Sequence, residues 1–298
     1  VVVFTNSAPT NSHAISVSVF GDDGYEEPFF VPQERWLRRS GESVNILERP
    51  EFTKLADKLR SFPLLDRICV ITQGAKPFQV GKGKPPQTPK IVESKPFVSS
   101  TKKNKTFRPL LRGSLIQRYQ TLWNGDYWIS FGDWLAEPRY SANYDAPEKI
   151  VIRQTGDSLL ATLDEEQFII RDNLYSIVHR DGKADLRFIL GLLNSKLLNW
   201  FYQKAINPEE GEALAQIKRG HLAQLPIVSS QHKESKKLVV LVDRILAEKR
   251  KSLDADTRVL EQNVDQIVYA LYGLTNEEIA LVEGISAVSN KAEKKIQA

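Results

Sequence analysis

Apolar positions along the chain follow two rhythms, one with a period near two and one near three and a half, and the two alternate in blocks. Residues 14–20 (Ala-Ile-Ser-Val-Ser-Val-Phe) alternate strictly. With Val1-Val-Val-Phe and Pro28-Phe-Phe-Val, set apart by Asn, Ser, Asp and Gly, they predict extended segments over residues 1–36. Phe52, Leu55, Leu59 and Phe62 share one face at three- and four-residue steps, which predicts a helix over 51–62 stopped by Pro63. Residues 65–74 (Leu-Asp-Arg-Ile-Cys-Val-Ile-Thr-Gln-Gly) read as a strand running into a Gly turn, and Lys149-Ile-Val-Ile-Arg as another. Residues 173–179 alternate as a strand that turns at Asp181-Gly182, so His179 reads as a strand-end polar residue rather than a base or ligand. Phe188, Ile189, Leu192, Leu193, Leu197, Leu198 and Phe201 give the strongest helical signal, with Asn194-Ser195 expected to break it in two.

From Lys233 the pattern is helical throughout. Leu238, Leu241, Val242, Ile245 and Leu246 mark one helix. Val259, Leu260, Val264, Ile267, Val268 and Leu271 mark a second, closed by Gly273. Thr275-Asn-Glu-Glu278 is a capping box that opens a short third helix, and residues 286–298 read as a frayed, lysine-rich tail. The paired helices fit either an arm or a packed hairpin.

Composition adds little to this picture, and charge adds more. The chain has 298 residues, 41% hydrophobic and 26% charged, enough for one large or two ordinary domains with a real core. No run approaches the roughly 18 uninterrupted apolar residues of a membrane span, and no charged-then-apolar leader is visible. Cys69, the single cysteine, lies in an apolar run and reads as a core thiol, so a cytoplasmic protein with no membrane partner is expected. The absence of methionine suggests a piece of a longer chain. Between residues 76 and 118 there are eleven Lys or Arg and one acid, Glu93, a net of +10 in a chain whose net charge is +4. The rest is therefore at −6, and a block so one-sided favours contact with a polyanion over a merely solvated loop.

The basic block contains Gly81-Lys82-Gly83-Lys84 within a long Pro-rich stretch that reads as loop up to Pro96. It is no nucleotide loop. Counting back from Lys82 or Lys84, the required glycine positions hold Lys76 or Phe78, and Gly83 or Pro85 stands where Ser or Thr is needed. Glycines between lysines do let backbone approach a phosphate closely. Four scattered histidines and one cysteine offer no zinc site. Glu93-Ser-Lys95 has a nuclease-like spacing, but the nearest preceding acid is Asp66, and Glu234-Ser-Lys236 repeats the triplet by chance. By its residues the chain binds and does not catalyse.

The chain is organised around residues 107–164. There Arg108, Arg112 and Arg118 punctuate an apolar ladder, and Trp123, Tyr127, Trp128 and Trp134 crowd into a dozen positions ahead of the 149–153 strand. Aromatics so placed serve either a core or base stacking. "RPLLRGSLIQRY", "EKIVIRQTGDSLLATLD" and, later, "LRFILGLLNSKLLNWFY" resemble the TaqI-like C-terminal specificity domain of adenine-specific DNA methyltransferases. With the pattern above, the resemblance implies an α+β fold, a mixed, mostly antiparallel sheet followed by a C-terminal helical segment. It also implies a division of the chain. Residues 1–45 would be the last strands of a methyltransferase domain, 46–230 a target-recognition domain, 231–285 C-terminal helices and 286–298 a tail. "L…LPI" in residues 222–227 is similar to the close of specificity domains generally.

The activity implied is reading double-stranded DNA for an N6-adenine methyltransferase or a combined type II restriction-modification enzyme. The catalytic domain, on the same polypeptide, would bind S-adenosylmethionine and act on a flipped adenine. This chain holds no cofactor by that reading. It lacks a Gly-rich strand-turn-helix and an Asn/Asp-Pro-Pro-Tyr/Phe loop, its one Asn-Pro being Asn207-Pro208-Glu209. Lys102, Lys103, Lys105, Arg108 and Arg112 cluster without evident partners and are expected on phosphates. Gln73, Lys82, Lys84, Arg139, Arg153 and Gln154 stand at Gly turns or strand ends and are expected on base edges. Three other readings remain: a separate specificity subunit of a multi-subunit system, a self-contained enzyme, and a protein-interaction scaffold. The first lacks an internal repeat, the second its motifs, and the third leaves the basic block unexplained.

Overall fold

The computed structural model describes residues 10, 12–21, 24–25, 27–34, 49–182, 185–207 and 215–285. The extended run at Val1 and the tail from 286 lie outside them. β1 (Ala14–Val17), β2 (Phe20–Gly21), β3 (Gly24–Tyr25) and β4 (Phe29–Pro32) form one antiparallel hairpin, β1 on β4 and β2 on β3. α1 (Pro50–Arg60) opens with Pro in its first turn and buries Leu55, Ala56 and Leu59, the stripe legible in the sequence.

Residues 65–74 depart from the expected strand, because α2 (Leu65–Ile68) makes one helical turn before β5 (Cys69–Gln73) begins. Leu64 and Leu65 are pinned to the LPI segment: the Leu65 amide donates to the Leu225 carbonyl at 2.9 Å and the Ile227 amide to the Pro63 carbonyl at 2.7 Å. The chain is thus held before the strand starts. The Pro-rich stretch is likewise not all loop. α3 (Pro89–Ser94) is capped by the Thr88 side chain and carries Pro89 at its start, where a missing N–H costs nothing.

β6 (Val98–Ser99), β7 (Phe107–Leu111), β8 (Ile116–Gln117), β9 (Gln120–Thr121) and β10 (Trp128–Ser130) follow. Then come β11 (Lys149–Arg153), β12 (Ala161–Asp164), β13 (Ile169–Ile170) and β14 (Leu174–His179). One four-stranded sheet has the order β12-β11-β14-β5, antiparallel throughout; a second has the order β13-β7-β10-β6, with β13 parallel to β7 and the other pairs antiparallel. The expected α+β class and largely antiparallel pairing are both present.

Strand alternation gives the first sheet two faces. Ile150, Ile152, Ala161, Leu163, Tyr175, Ile177, Cys69 and Ile71 join the helical core, whereas Val151 and Leu174 join a second core with Leu110, Leu111, Ile129, Ile169 and Ile170 of the other sheet. Lys149 and Asp164, cross-strand partners on that second face, form an ion pair of 2.6 Å with both side chains fully buried. Asp164 also accepts from the amides of Glu166 and Phe168, so the turn into β13 is built on it.

The helical layer is α4 (Leu186–Leu193), α5 (Lys196–Phe201), α6 (Arg219–Ala223), α7 (Lys233–Lys251), α8 (Arg258–Leu271) and α9 (Asn276–Val282). The break at Asn194-Ser195 is real and has two causes. Ser195 caps α5, and the buried Asn194 amide donates to the Ala161 carbonyl and accepts from its N–H, tying the break to β12. α7 and α8 are a packed hairpin, with Leu238, Val242, Ile245, Leu246, Val264 and Val268 inside the helical core. Among the described residues no helix is long and apolar enough to cross a membrane.

Candidate nucleic-acid interface

The two sheets are stitched together at one end by Gly74-Ala75. The Gly74 amide donates to the Leu174 carbonyl at 3.0 Å in the first sheet, and the Ala75 amide to the Ile170 carbonyl at 2.8 Å in the second. A Cβ at Gly74 would lie 2.2 Å from the Arg171 carbonyl oxygen, so the close crossing requires glycine. The C-terminal ends of β5, β7, β11 and β13 and the start of β14 all meet at this rim. Residues far apart in sequence are thereby gathered: Gln73 at the end of β5, Arg112 just after β7, Arg153 at the end of β11 with Gln154 just after it, and Arg171 just after β13. Arg219, at the start of α6, joins them through its Nε, which donates to the Ile71 carbonyl at 3.1 Å.

The six residues expected on base edges fall into three groups. Gln73 and Gln154 touch, with Gln73 Nε2 donating to Gln154 Oε1 at 3.4 Å and to the Asp172 carbonyl at 2.8 Å. Arg153 is half-buried, and its guanidinium has no hydrogen bond or ion pair among the described residues.

Arg139 is engaged within the fold. Its Nε and Nη2 donate to Glu137 at 2.9 and 2.6 Å and its Nη1 to the Gly74 carbonyl at 2.9 Å, so all three nitrogens are used in holding the stitch. The hydrogen bond from Arg139 keeps the Glu137 carboxyl below its usual range, helped by the charges of Arg139, Lys76 and Lys82.

Lys82 and Lys84 ride on a loop that is far from slack. Buried Gln87 donates to the Pro77 and Trp134 carbonyls at 2.8 and 2.9 Å and accepts from the Gln79 amide at 3.0 Å. The Lys84 amide reaches the Asp133 carbonyl at 2.8 Å. Gly83 lies at φ +88°, and a Cβ there would stand 2.6 Å from the Trp134 carbonyl oxygen, so a side chain is excluded twice over. Both lysine side chains are exposed.

Of the residues expected on phosphates, Lys102, Lys103, Lys105 and Arg112 are exposed and make no ion pair among the described residues. Arg112 lies over the Tyr127 ring at 4.8 Å and Lys102 over Trp128 at 5.8 Å. Arg108 does not share this state. At the opposite end of β7 from Arg112, it pairs with Asp145 at 2.8 Å and donates to the carbonyls of Gln167 and Tyr144. The aromatic crowd proves to be largely scaffold. Trp123, Tyr127 and Trp134 pack on the second core, and the indole N–H groups of Trp123, Trp128 and Trp134 each bond a backbone carbonyl three or four residues away.

Two rim residues were not among the sequence candidates. Arg219 is one. Arg171 is the other: it makes only loose contacts, 3.5 Å to the Tyr127 hydroxyl and 3.6 Å to Asp172. Neither stands in the basic block, and nothing in the local sequence sets them apart. Among the described residues no group of three or more His, Cys, Asp or Glu could hold a metal ion. Cys69, pushed up to about 12 by burial, offers no nucleophile.

Residues 108–227 match the family described as the TaqI-like C-terminal specificity domain. Over this segment the chain is similar to a TaqI-like specificity domain. It holds β7 through α6 and the residues that complete the rim, whereas Gln73, Gly74 and the GKGK loop precede it. A Methanocaldococcus jannaschii protein, named as a candidate type II restriction enzyme and methyltransferase, is 26% identical over 187 residues, or 61% of this chain. The match spans 16% of that protein's length. The type IIL restriction-modification enzyme MmeI, solved in complex with DNA, shares the fold at a TM-score of 0.54 and 14% identity, over 91% of this chain and 40% of that one.

Proposed function

We propose that the chain is the sequence-reading part of an N6-adenine DNA methyltransferase or a combined type II restriction-modification enzyme. It would bind duplex DNA on the rim and present one base to a catalytic domain elsewhere in the same protein. The observation that carries the reading is the rim itself, where strand ends gather Arg112, Arg153, Arg171 and the amides of Gln73 and Gln154, flanked by lysines on a braced loop. Free cations supply the sequence-independent hold on phosphates, and polar groups fixed at strand ends supply the reading of bases. S-adenosylmethionine chemistry belongs to the catalytic domain in this reading, because these residues offer neither a Gly-rich cofactor turn nor an Asn-Pro-Pro-Tyr loop.

The test is the salt dependence of duplex binding. If the basic block from Lys76 to Arg118 neutralises about five phosphates, log K falls against log salt with a slope of roughly −4 to −5. Lys103→Ala lowers that slope by about 1 and weakens all sequences alike. Binding that ignores salt between low and physiological concentrations overturns the proposal.

A further inference from the structure

The amide orientations at Gln73 and Gln154 are dictated by their surroundings. A backbone carbonyl, that of Asp172, can only accept, so the Gln73 atom 2.8 Å from it is the nitrogen. The same nitrogen faces Gln154, so the Gln154 atom 3.4 Å away is its oxygen. The orientation is relayed from backbone to the first amide and from the first amide to the second. Among the described residues each amide keeps one atom without a partner: Gln73 retains Oε1, an acceptor, and Gln154 retains Nε2, a donor with two hydrogens. Neither atom is buried without a partner, and both side chains are half-exposed at the rim. The two strands that carry them are separated only by β14, so the amides bridge over its first residues from a rigid sheet rather than a loop.

We propose that this relayed pair reads an A·T base pair through the major groove, a deepening that rests on the function proposed above. In that groove adenine N6 is a donor flanked on both sides by acceptors, N7 of the same base and O4 of the paired thymine. An acceptor aimed at N6 therefore leaves the neighbouring Gln154 donor matched on whichever side it lies. At a G·C pair the donor, cytosine N4, stands at one edge, beside guanine O6 and N7. There only one approach matches, and the other sets Gln73 Oε1 against an acceptor. Fixing both amides by a backbone carbonyl removes the freedom to rotate and accept the wrong pair, which is what discrimination at one position requires.

The experiment selects bound sequences from a randomised duplex pool with the full-length protein. Affinities for the selected site are then measured for wild type, Gln73→Ala and Gln154→Ala. The expected result is one A·T position that both variants make degenerate, with a loss on the selected site on the order of tenfold and no change at other positions. Replacing that adenine by purine, which lacks the N6 amino group, costs wild type a similar factor and costs Gln73→Ala nothing more. Gln154→Glu, which keeps the contact from Gln73 but turns the free donor into an acceptor, penalises A·T at that position and decides the matter should Gln73→Ala not fold. Variants that relax a G·C position, weaken every site equally or leave the preference intact overturn the pair as a reader. A wild-type protein that binds with the expected salt slope but selects no sequence also overturns it. One that fails the salt test overturns the underlying function instead.

Discussion

Arg139 spends three nitrogens on Glu137 and the Gly74 carbonyl, and its own backbone sits at φ 46°. Arg153, on the strand end across the rim, spends none among the described residues. Removing the first strips donors from a half-buried carbonyl and a carboxylate at the point where two sheets join. Arg139→Ala is therefore expected to lower stability by about 1–3 kcal/mol in denaturant titrations. Arg153→Ala is expected to leave the unfolding midpoint nearly in place and to cost roughly 1–3 kcal/mol of DNA affinity at one position. Equal stability losses for the two would mean that Arg153 is structural after all. Both residues look alike in the sequence, each standing close to a turn. What separates them is a through-space fact, the arrival of the Gly74 carbonyl beside Arg139, and no local pattern carries it. Arg171 and Arg219 were invisible for the same reason, since their meaning comes from the strand ends they meet. Gln73, Gln154 and Arg153 could be picked out because strand ends followed by Gly turns are marked in the sequence itself.

At the scale of elements, strong periodicity was a faithful guide and punctuation by proline was not. α1 and the hairpin of α7 and α8 follow from apolar spacing because each buries one stripe, and the broken pair α4 and α5 follows because it is apolar and buried on nearly every side. α3 was missed because Pro89 reads as a loop residue unless Thr88 is recognised as its cap. The turn at α2 was missed because its cause, two hydrogen bonds to residues near 226, lies over 150 positions away. The GKGK loop is the most instructive of these elements. Its brace is one buried amide, Gln87, which satisfies the carbonyls of Pro77 and Trp134 and the amide of Gln79. Gln87→Ala takes this partner from the Trp134 carbonyl and the Gln79 amide, at about 1–3 kcal/mol for each that stays buried, while the Pro77 carbonyl keeps the Ala136 amide at 3.1 Å. The expected consequence is local: the Gly81 amide, bonded to the Gln87 carbonyl at 2.9 Å, loses hydrogen-exchange protection while the sheets keep theirs. DNA affinity should fall, since Lys82 and Lys84 would have to be ordered on binding. Unchanged protection at Gly81 would show that the backbone bonds alone hold the loop.

The whole molecule is held together across its layers by charge as well as by the helical core. Arg187, on α4, pairs with Glu148 and Glu165 from turns of the first sheet and with Asp243 of α7, at 2.6 to 2.7 Å each. On the other flank Arg118, between β8 and β9, reaches the Asn194 carbonyl and Glu261 of α8, and Gln120 donates to the Leu253 carbonyl beyond α7. The rim thus rests on sheets that are fastened to the helices at both sides, which keeps strand-end side chains at fixed spacing.

One member of this fastening has the wrong charge for its place. Asp265, on α8, is 4% exposed and accepts from the Lys196 amide at the start of α5 at 2.8 Å. Burial lifts its carboxyl to about 6, against the pull of that amide and of the Lys196 and Arg118 charges, while Glu283 pushes the same way as burial. An unfolded aspartate titrates near 3.9. Between roughly pH 4 and 6 the folded state therefore holds this proton more tightly than the unfolded state does. Its contribution to stability is greatest below that window, declines as pH rises through it, and is fully lost above about 6. A shift of about two units corresponds to at most about 3 kcal/mol. Asp265→Asn keeps an oxygen for the Lys196 amide and abolishes the charge, so it should stabilise the protein at pH 7 by about 1–3 kcal/mol. The gain should shrink steadily toward pH 4.5. Comparing urea midpoints of the two proteins at both pH values isolates the effect, because every other titrating group is common to both. A gain that is equal at pH 7 and pH 4.5 would place the cause in packing rather than in the buried charge.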